Sequence, residues 1–411
     1  MRTTCVVAGG GPAGMMLGLL LARAGVEVTV LEKHADFLRD FRGDTVHPST
    51  IRLLDELGLG EEFRALPQSR LQNLELPQPD GTMLTLGDFD RLPPPYDYVA
   101  MVPQWDLLDL LARAGRAEPS FTLQMSTAAS GLLLDGDRVV GVRVRRSDGT
   151  QEELRADLVV ACDGRGSVLR AAAGLVPHEY PVPFDTWWFR LPRFSHEQGP
   201  AALVPRIDGG EIVLSFPRTD YFQVAYFNRK GMDASLRAEG VERFRARVAR
   251  IRPDFADRLD ALTSTDDLHM LDVKLNRLPR WYRDGLLLIG DAAHAMSPAG
   301  GVGINLAVQD AVATATLLAE PLGQGRLTTA DLARVQRRRE WPTVVVQAAQ
   351  RGLHRLVFRP ALTGRTPPAL RLVSAAARRL PALTRVPAQL IGFGPRPEHA
   401  PAYARRVPVG R

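Results

Sequence analysis

A short apolar run, Thr3 to Ala8 (TTCVVA), ends in Gly9, Gly10 and Gly11, and apolar residues then recur at helical spacing from Pro12 to about Ala24. Gly25 stops that helix, and Val26 to Leu31 (VEVTVL) reads as a second strand. Strand, helix and strand in this order imply a parallel pair joined by a right-handed crossover. The turn has the spacing Gly9-x-Gly11-x-x-Gly14, with Pro12 and Ala13 opening the helix. Glycines there allow a tight turn and close backbone approach, so that a pyrophosphate can meet the helix N-terminus. Glu32 closes the second strand, where a carboxylate can accept hydrogen bonds from an adenosine ribose diol. The four features together form a strong dinucleotide signature that fits NAD or FAD.

Two later segments decide. DLVVACDGRGSVLR (Asp157 to Arg170) sets Asp163 and Gly164 after a buried strand, with Ser167 and Arg170 downstream. GLLLIGDAAHAMSPAGGVGINLAVQDA (Gly285 to Ala311) sets Gly290 and Asp291 after another strand, and a glycine-rich loop then opens a helix predicted from about Asn305 to Ala319. Asp291 sits where a carboxylate can bind a ribityl hydroxyl. Backbone N–H groups of Gly301 to Asn305, at a helix start, can face the electron-poor pyrimidine end of a flavin.

Between these segments the character changes. From about Leu175 to Asn276, aromatic residues gather in short strand-like pieces, Thr186 to Leu191 (TWWFRL), Glu211 to Phe216 and Tyr221 to Phe227 (YFQVAYF), with one helix near Val241 to Ile251. Residues 77 to 95 read as turns, Ser49 or Thr50 as a helix cap, and the chain after Leu327 as helix broken at prolines that include Pro342.

The glycine fingerprint, the internal Asp-Gly and the late Gly-Asp, in that order, resemble the single-component FAD-dependent monooxygenases of the p-hydroxybenzoate hydroxylase type. FRGDTVHPST (Phe41 to Thr50) and IGFGPRPEH (Ile391 to His399) are similar to a bacterial subgroup of them. The resemblance spans about Thr3 to Pro397 and implies an α/β fold: a Rossmann-like FAD-binding domain, an inserted, mostly antiparallel β-sheet substrate domain, and a C-terminal helical segment. The expected boundaries are 1–174 and 277–330 for the FAD-binding domain, 175–276 for the insert with residues 71–104 contributing, and 331–411 for the basic helical segment.

By that resemblance Glu32, with Lys33 beside it, binds the adenosine ribose, and Arg42 and Gln104 contact FAD. Asp163 serves both flavin binding and reductant docking and Asp291 binds ribityl or pyrophosphate, with Gly164 and Gly290 beside them in the cofactor site. Pro298, Gly300, Gly301, Val302, Gly303, Ile304 and Asn305 border the isoalloxazine. Many relatives carry a second Arg two residues after the first, but Arg42-Gly43-Asp44 places an acid there. The implied chemistry uses NAD(P)H as transient reductant and O2 as co-substrate. A flavin C4a-hydroperoxide then hydroxylates an aromatic or polycyclic small molecule, and the cofactor carries the difficult step.

For the substrate pocket, Trp188 and Arg190 share one strand face and Trp187, Phe189 and Leu191 the other; Tyr221, Gln223 and Ala225 oppose Phe222, Val224 and Tyr226. Periodicity does not say which face lines the pocket. Arg190, Tyr221 and Gln223 are its candidates, because polar groups must be hydrated or hydrogen-bonded. A halogenase on the same fold is a competing reading, since Trp187 to Pro192 loosely echoes a halogenase motif, but the only lysine before residue 200 is Lys33. A flavin-dependent isoprenoid reductase and a non-catalytic flavoprotein binding module are the others.

Charge bears on partners. The net charge is +6, yet Trp341 to Arg411 holds twelve Arg, no Lys and one acid, Glu398, which leaves Met1 to Glu340 mildly acidic. Broken amphipathic pieces of that kind can dock on the acidic body with their guanidinium heads wet. A membrane-surface contact is the alternative, and nucleic acid is not expected as a partner. The eight histidines and the lone cysteines Cys5 and Cys162 make no metal spacing, so no metal is expected. His294 reads as a loop-ordering residue. No apolar run reaches the ~20 residues of a membrane span, and the N-terminus meets its glycine turn too early for a signal peptide. A cytoplasmic protein is expected, and composition is silent on oligomeric state.

Overall fold

Five parallel strands form the centre of the first sheet, in the order Leu286–Leu288, Gln151–Ala161, Arg2–Ala8, Val28–Leu31 and Phe121–Gln124. The computed structural model describes all residues except 39–44, 78–82, 195–196, 198–200, 219, 366–378, 380–383 and 407–411. Toward their C-terminal ends three of the central strands are unbroken apolar runs, Cys5–Ala8, Leu158–Ala161 and Leu286–Leu288, as strands covered on both faces must be. Ala8 pairs with Leu31 on one side and with Ala161 on the other, and Ala161 pairs in turn with Leu288. Four strands therefore end level. The residues that follow them, Gly9, Glu32, Cys162-Asp163 and Ile289-Gly290, emerge along one edge, at the switch point where an open α/β sheet binds its ligand.

Helices Pro12–Arg23, Gln104–Arg116 and Gly303–Gly323 cover one face of this sheet, with Met15, Leu19, Leu108, Leu111, Val308 and Val312 in a shared core. The other face packs with the antiparallel meander Thr127–Asp135 and Arg138–Arg146, which leads into Gln151–Ala161, and with Trp281. The last central helix starts at Gly303, two residues before its predicted start, and carries Pro321 in its final turn.

The second sheet runs His269–Leu271, Phe184–Pro192, Tyr221–Arg229, Glu211–Pro217, Ala201–Asp208, Ser69–Pro77, Val99–Met101 and Thr45–Val46, with Met83–Asp88 alongside Ser69–Pro77. Its pairings are antiparallel except that of Ala201–Asp208 with Ser69–Pro77. The strand Met83–Asp88 lies inside the stretch expected to be turns, because its pairing with Ser69–Pro77 outweighs the flanking prolines. On the aromatic strands one face, Trp187, Phe189, Leu191, Val224 and Tyr226, is roofed by Phe244, Val248 and Ile251 of helix Val241–Ile251. The opposite face carries Trp188 and Ala225, which share a core with Met296, Val302 and Leu306.

Helix Thr329–Leu353 runs straight through Pro342, contrary to the expected break. Buried Gln336, Gln347 and Gln350 bind it to the loops beneath, and buried Arg339 binds it to helix Gly303–Gly323. That packing outweighs the backbone hydrogen bond a proline cannot make. Beyond it, helix Arg385–Gly392 and the chain to Arg406 lie against the body. Among the described residues no helix is long and apolar enough to cross a membrane.

Phe244 is 1% exposed and packs edge-on against Phe189 and Tyr226. Phe244→Ala is expected to cost about 3–5 kcal/mol of stability through the cavity it leaves, read as a lowered urea midpoint. The same change at Phe244's sequence neighbour Arg243, outside this core, should stay within about 0.5 kcal/mol.

Candidate functional site

The level strand ends bring the three glycine motifs into direct contact. A Cβ on Gly9 would lie 2.4 Å from the Cys162 carbonyl oxygen and 3.1 Å from Asp163 Cα, so the first turn rests on the Asp-Gly segment. A Cβ on Gly14 would lie 1.9 Å from the Gly9 carbonyl oxygen, and only glycine permits the helix to start so close to the strand. Gly290 (φ +57°) nests between Ala13 and Ala307, near the starts of two different helices. Glu32 is buried and accepts hydrogen bonds from the Gly10 N–H (Oε2, 3.0 Å) and the His34 N–H (Oε1, 3.0 Å). These bonds help fix the carboxylate at the end of the second strand.

Arg170 ties the two acidic loops together, donating to the carbonyls of Ala292 (2.9 Å) and Arg165 (2.6 Å). Arg165 in turn donates to Asp291 Oδ2 at 3.1 Å. Asp163 Oδ2 accepts from the Leu169 N–H at 3.2 Å, while its Oδ1 is buried and meets no hydrogen-bond partner among the described residues. Burial raises the Asp163 carboxyl above its ordinary pKa. Burial likewise pushes the thiols of Cys5 and Cys162 well up, so neither is a reactive thiolate.

The loop from Pro298 to Asn305 is held from two sides. From helix Thr329–Leu353, Gln350 donates to the carbonyls of Ser297 (2.9 Å) and Ala299 (2.8 Å), and the following His354 contacts Ser297 Oγ at 2.9 Å. From the other side, Thr45 Oγ1 donates to the Gly301 carbonyl at 3.0 Å, and His47 Nε2 lies 3.0 Å from the same oxygen. Burial pushes His47 down to about 4, against the two carbonyls that favour its protonated form. Ser49 and Thr50 do not cap the helix Pro48–Glu56, whose N-cap is His47. Both hydroxyls donate instead to Asn305 Oδ1, at 2.5 and 2.9 Å. The Asn305 side chain is thereby turned toward this pair.

Of the expected site residues, Gly9, Gly11, Pro12, Ala13, Gly14, Glu32, Asp163, Gly164, Gly290, Asp291, Pro298 and Gly300 to Asn305 lie along this one edge. Arg42, and Asp44 with it, lie outside the described residues. Gln104 opens helix Gln104–Arg116 just after the strand Val99–Met101, which pairs with Thr45–Val46. Lys33 is exposed. Thr45, His47, Ser49, Thr50 and Arg165 were not singled out from the sequence as site residues. The first four fall in the quoted FRGDTVHPST segment, but nothing in their spacing says that they grip a loop some 250 residues away.

The site fits FAD on its own features. Helices Pro12–Arg23 and Gly303–Gly323 both start with no side-chain cap, leaving first-turn N–H groups for an anionic or electron-rich ligand. A Cβ on Gly11 would meet open space, which leaves room at that helix start. Asp163 Oδ1 is an acceptor in want of a donor such as a ribityl hydroxyl. Among the described residues no cluster of His, Cys, Asp or Glu could hold a metal ion.

Above the Pro298 loop stands the sheet face that carries Trp188. Register pairs Trp188 with Ala225, Arg190 with Gln223 and Pro192 with Tyr221, so the three pocket candidates share that face. Arg190 lies over the Tyr221 ring at 4.9 Å, and buried Gln223 accepts from Arg218 at 2.7 Å. Trp188 packs against Phe216 and is 9% exposed, and its indole N–H finds no partner among the described residues.

Comparison with known proteins agrees with this geometry. Residues 2–349 match the family model described as FAD binding domain. The chain is 39% identical over 348 residues to the 6-methylpretetramide 4-monooxygenase of Streptomyces rimosus, covering 82% of this chain and 80% of that one. It is 34% identical to the 12-dehydrotetracycline 5-monooxygenase/anhydrotetracycline 6-monooxygenase of Streptomyces rimosus subsp. rimosus, over 76% of this chain and 61% of that longer one. The solved structure of the anhydrotetracycline hydroxylase OxyS from Streptomyces rimosus superposes with a TM-score of 0.75 at 26% identity, covering 99% of this chain and 80% of that one. With the family model spanning most of its length, the chain belongs to the FAD-binding domain family and, within it, to the FAD-dependent aromatic monooxygenases of the p-hydroxybenzoate hydroxylase type.

Proposed function

We propose that this protein hydroxylates a polycyclic aromatic small molecule of the tetracycline-precursor kind, using O2 and NAD(P)H. The carrying observation is the aromatic sheet face of Trp188 and Phe216 packed toward Val302 and Met296, beside the two uncapped helix starts. The balance is substrate C–H plus O2, NAD(P)H and a proton, giving substrate C–OH, NAD(P)+ and water. Bound FAD supplies the electron transfer and the activation of O2. Glu32 would hold its adenosine ribose, Asp163 and Asp291 its ribityl and pyrophosphate portion, and the N–H groups of Gly303 to Asn305 its pyrimidine edge.

The remaining work belongs to the chain's own residues. The first turn of helix Gly303–Gly323 stabilises negative charge by its dipole. The apolar cluster of Met296, Val302 and Leu306 excludes water from the reacting face. Trp188 offers a preformed donor to a substrate oxygen, and Arg190 adds a cation on the same face for a phenolate. The halogenase reading lacks a lysine for the halogen. Lys33 is exposed beside Glu32, Lys230 is held 2.7 Å from both Asp185 and Asp272, and Lys274 lies 3.8 Å from Asp272.

The direct test is NAD(P)H oxidation by the FAD-loaded protein with 6-methylpretetramide and anhydrotetracycline as probes, each product weighed. A mass gain of one oxygen that depends on O2 is expected. Reductant consumption without oxygen transfer to any polycyclic aromatic probe overturns the reading. Trp188→Phe keeps an aromatic ring and removes only the N–H, so KM for the accepted probe should rise about tenfold with kcat little changed, in line with ~1–3 kcal/mol for one buried donor.

Asp163 links the cofactor to pH. A carboxyl whose folded-state pKa is raised contributes stability at low pH and loses it as pH rises through that value. Asp163→Asn removes this loss. Its FAD-free form should therefore melt above the wild type at neutral pH, with the gap closing on acidification, while FAD affinity falls about tenfold. Calorimetry across pH and a flavin-fluorescence titration measure the two effects.

A further inference from the structure

The final described stretch of the chain reaches both cofactor loops through buried side chains. Asp310, wholly buried in helix Gly303–Gly323, accepts from the Gly290 N–H (3.1 Å) and lies 2.6 Å from His294 Nε2, both through Oδ2. Its Oδ1 accepts from Arg339 Nε at 3.0 Å. Arg339 has no exposed surface. It donates onward to Gln309 Oε1 (3.0 Å), to the Arg396 carbonyl (3.1 Å) and to Glu398 Oε1 (3.3 Å). Glu398 is 4% exposed and also takes a bidentate contact from Arg338 at 2.7 and 2.9 Å.

The second loop has its own link. His47 Nδ1 lies 2.8 Å from the Ile391 carbonyl, while Nε2 faces the Gly301 carbonyl. Gln309 Nε2 donates to the Phe393 carbonyl at 3.2 Å. Residues 391–398 thus reach Gly301 through His47 on one side and Gly290 through Arg339 and Asp310 on the other.

We propose that this tail is a working part of the flavin site, and that Glu398 is a positioning residue for the Gly290–His294 loop, acting through Arg339 and Asp310. Charge accounts for the arrangement. Asp310 and Arg339 are both fully buried, and Arg339 and Arg338 together need a second anion, which Glu398 supplies. With Glu398 neutral, a buried guanidinium is left undercompensated. Arg339 then shifts toward whatever acceptor or water it can reach, and Asp310 loses the partner that sets it against the Gly290 N–H. Gly290 has no room to move unnoticed, lying between Ala13 and Ala307 near the starts of both cofactor-facing helices.

The tail has a separate clasp that serves as a control. Ala400 N–H and His399 Nδ1 meet the Glu56 carboxylate, both at 2.6 Å, and Tyr403 donates to the Ala315 carbonyl at 3.1 Å. Neither contact touches a cofactor loop.

The test compares full-length variants stripped of FAD and titrated with it. Glu398→Gln is expected to weaken FAD binding about tenfold and to alter the visible absorption band of the bound flavin. Tyr403→Phe should hold FAD as the wild type does, whatever its melting temperature. Glu398→Asp, which keeps the charge at shorter reach, should fall between Gln and wild type and serves where the Gln variant does not fold. Wild-type FAD affinity and spectrum in a folded Glu398 variant overturn the proposal. So does an equal loss in Tyr403→Phe, which would make the tail a general clasp. The inference rests on the family's cofactor and on no particular substrate, so rejection of every polycyclic probe would leave it standing.

Discussion

The parallel register through Ala8 is the constraint from which the site follows. Hydrogen bonding sets Ala8 level with Leu31, Ala161 and Leu288, and each strand hands its chain to a different motif at the same height. The glycines then become obligatory at two contacts. Gly9 lies on the Cys162 carbonyl and Gly14 on the Gly9 carbonyl, at separations that no Cβ could share. Sliding the strand forward by one residue would carry Gly9 off the Cys162 carbonyl and put Ala8, which has a side chain, there. The cofactor edge is thus fixed by the hydrogen-bond ladder.

Much of that edge was legible in the sequence because its signals are local. Strand, glycine turn and helix occupy consecutive residues, and the acids fall at strand ends that hydrophobic runs reveal. The helix Val241–Ile251 was equally plain from its spacing. The sequence was silent on long-range grips. Thr45, His47, Ser49 and Thr50 hold the Pro298–Asn305 loop across most of the chain, and Ser49 and Thr50 looked like helix caps because hydroxyls ahead of a helical run usually are. Pro342 misled for a related reason. A helix with four buried polar anchors tolerates the loss of one backbone hydrogen bond.

The same distinction explains the choice of sheet face. Alternation divided Trp187, Phe189 and Leu191 from Trp188 and Arg190 but could not orient them. Orientation came from helix Val241–Ile251, which covers one face and leaves the other to pack on Met296 and Val302. The side that meets the Pro298 loop is therefore decided by which side the insert's own helix occupies, a tertiary fact with no local signature.

The basic C-terminal segment gains a physical meaning from its single acid. Twelve arginines and one glutamate would read as a solvated cationic surface, yet Glu398 is buried and Arg339, just before the segment, is buried with it. A buried ion pair adds little net stability over an apolar contact, because desolvation offsets most of the attraction. What it adds is intolerance of misplacement, since either charge left alone is costly. Such a link suits a loop that must hold a flavin in register far better than it suits a general clasp, a task for which the exposed pairing of His399 with Glu56 is sufficient.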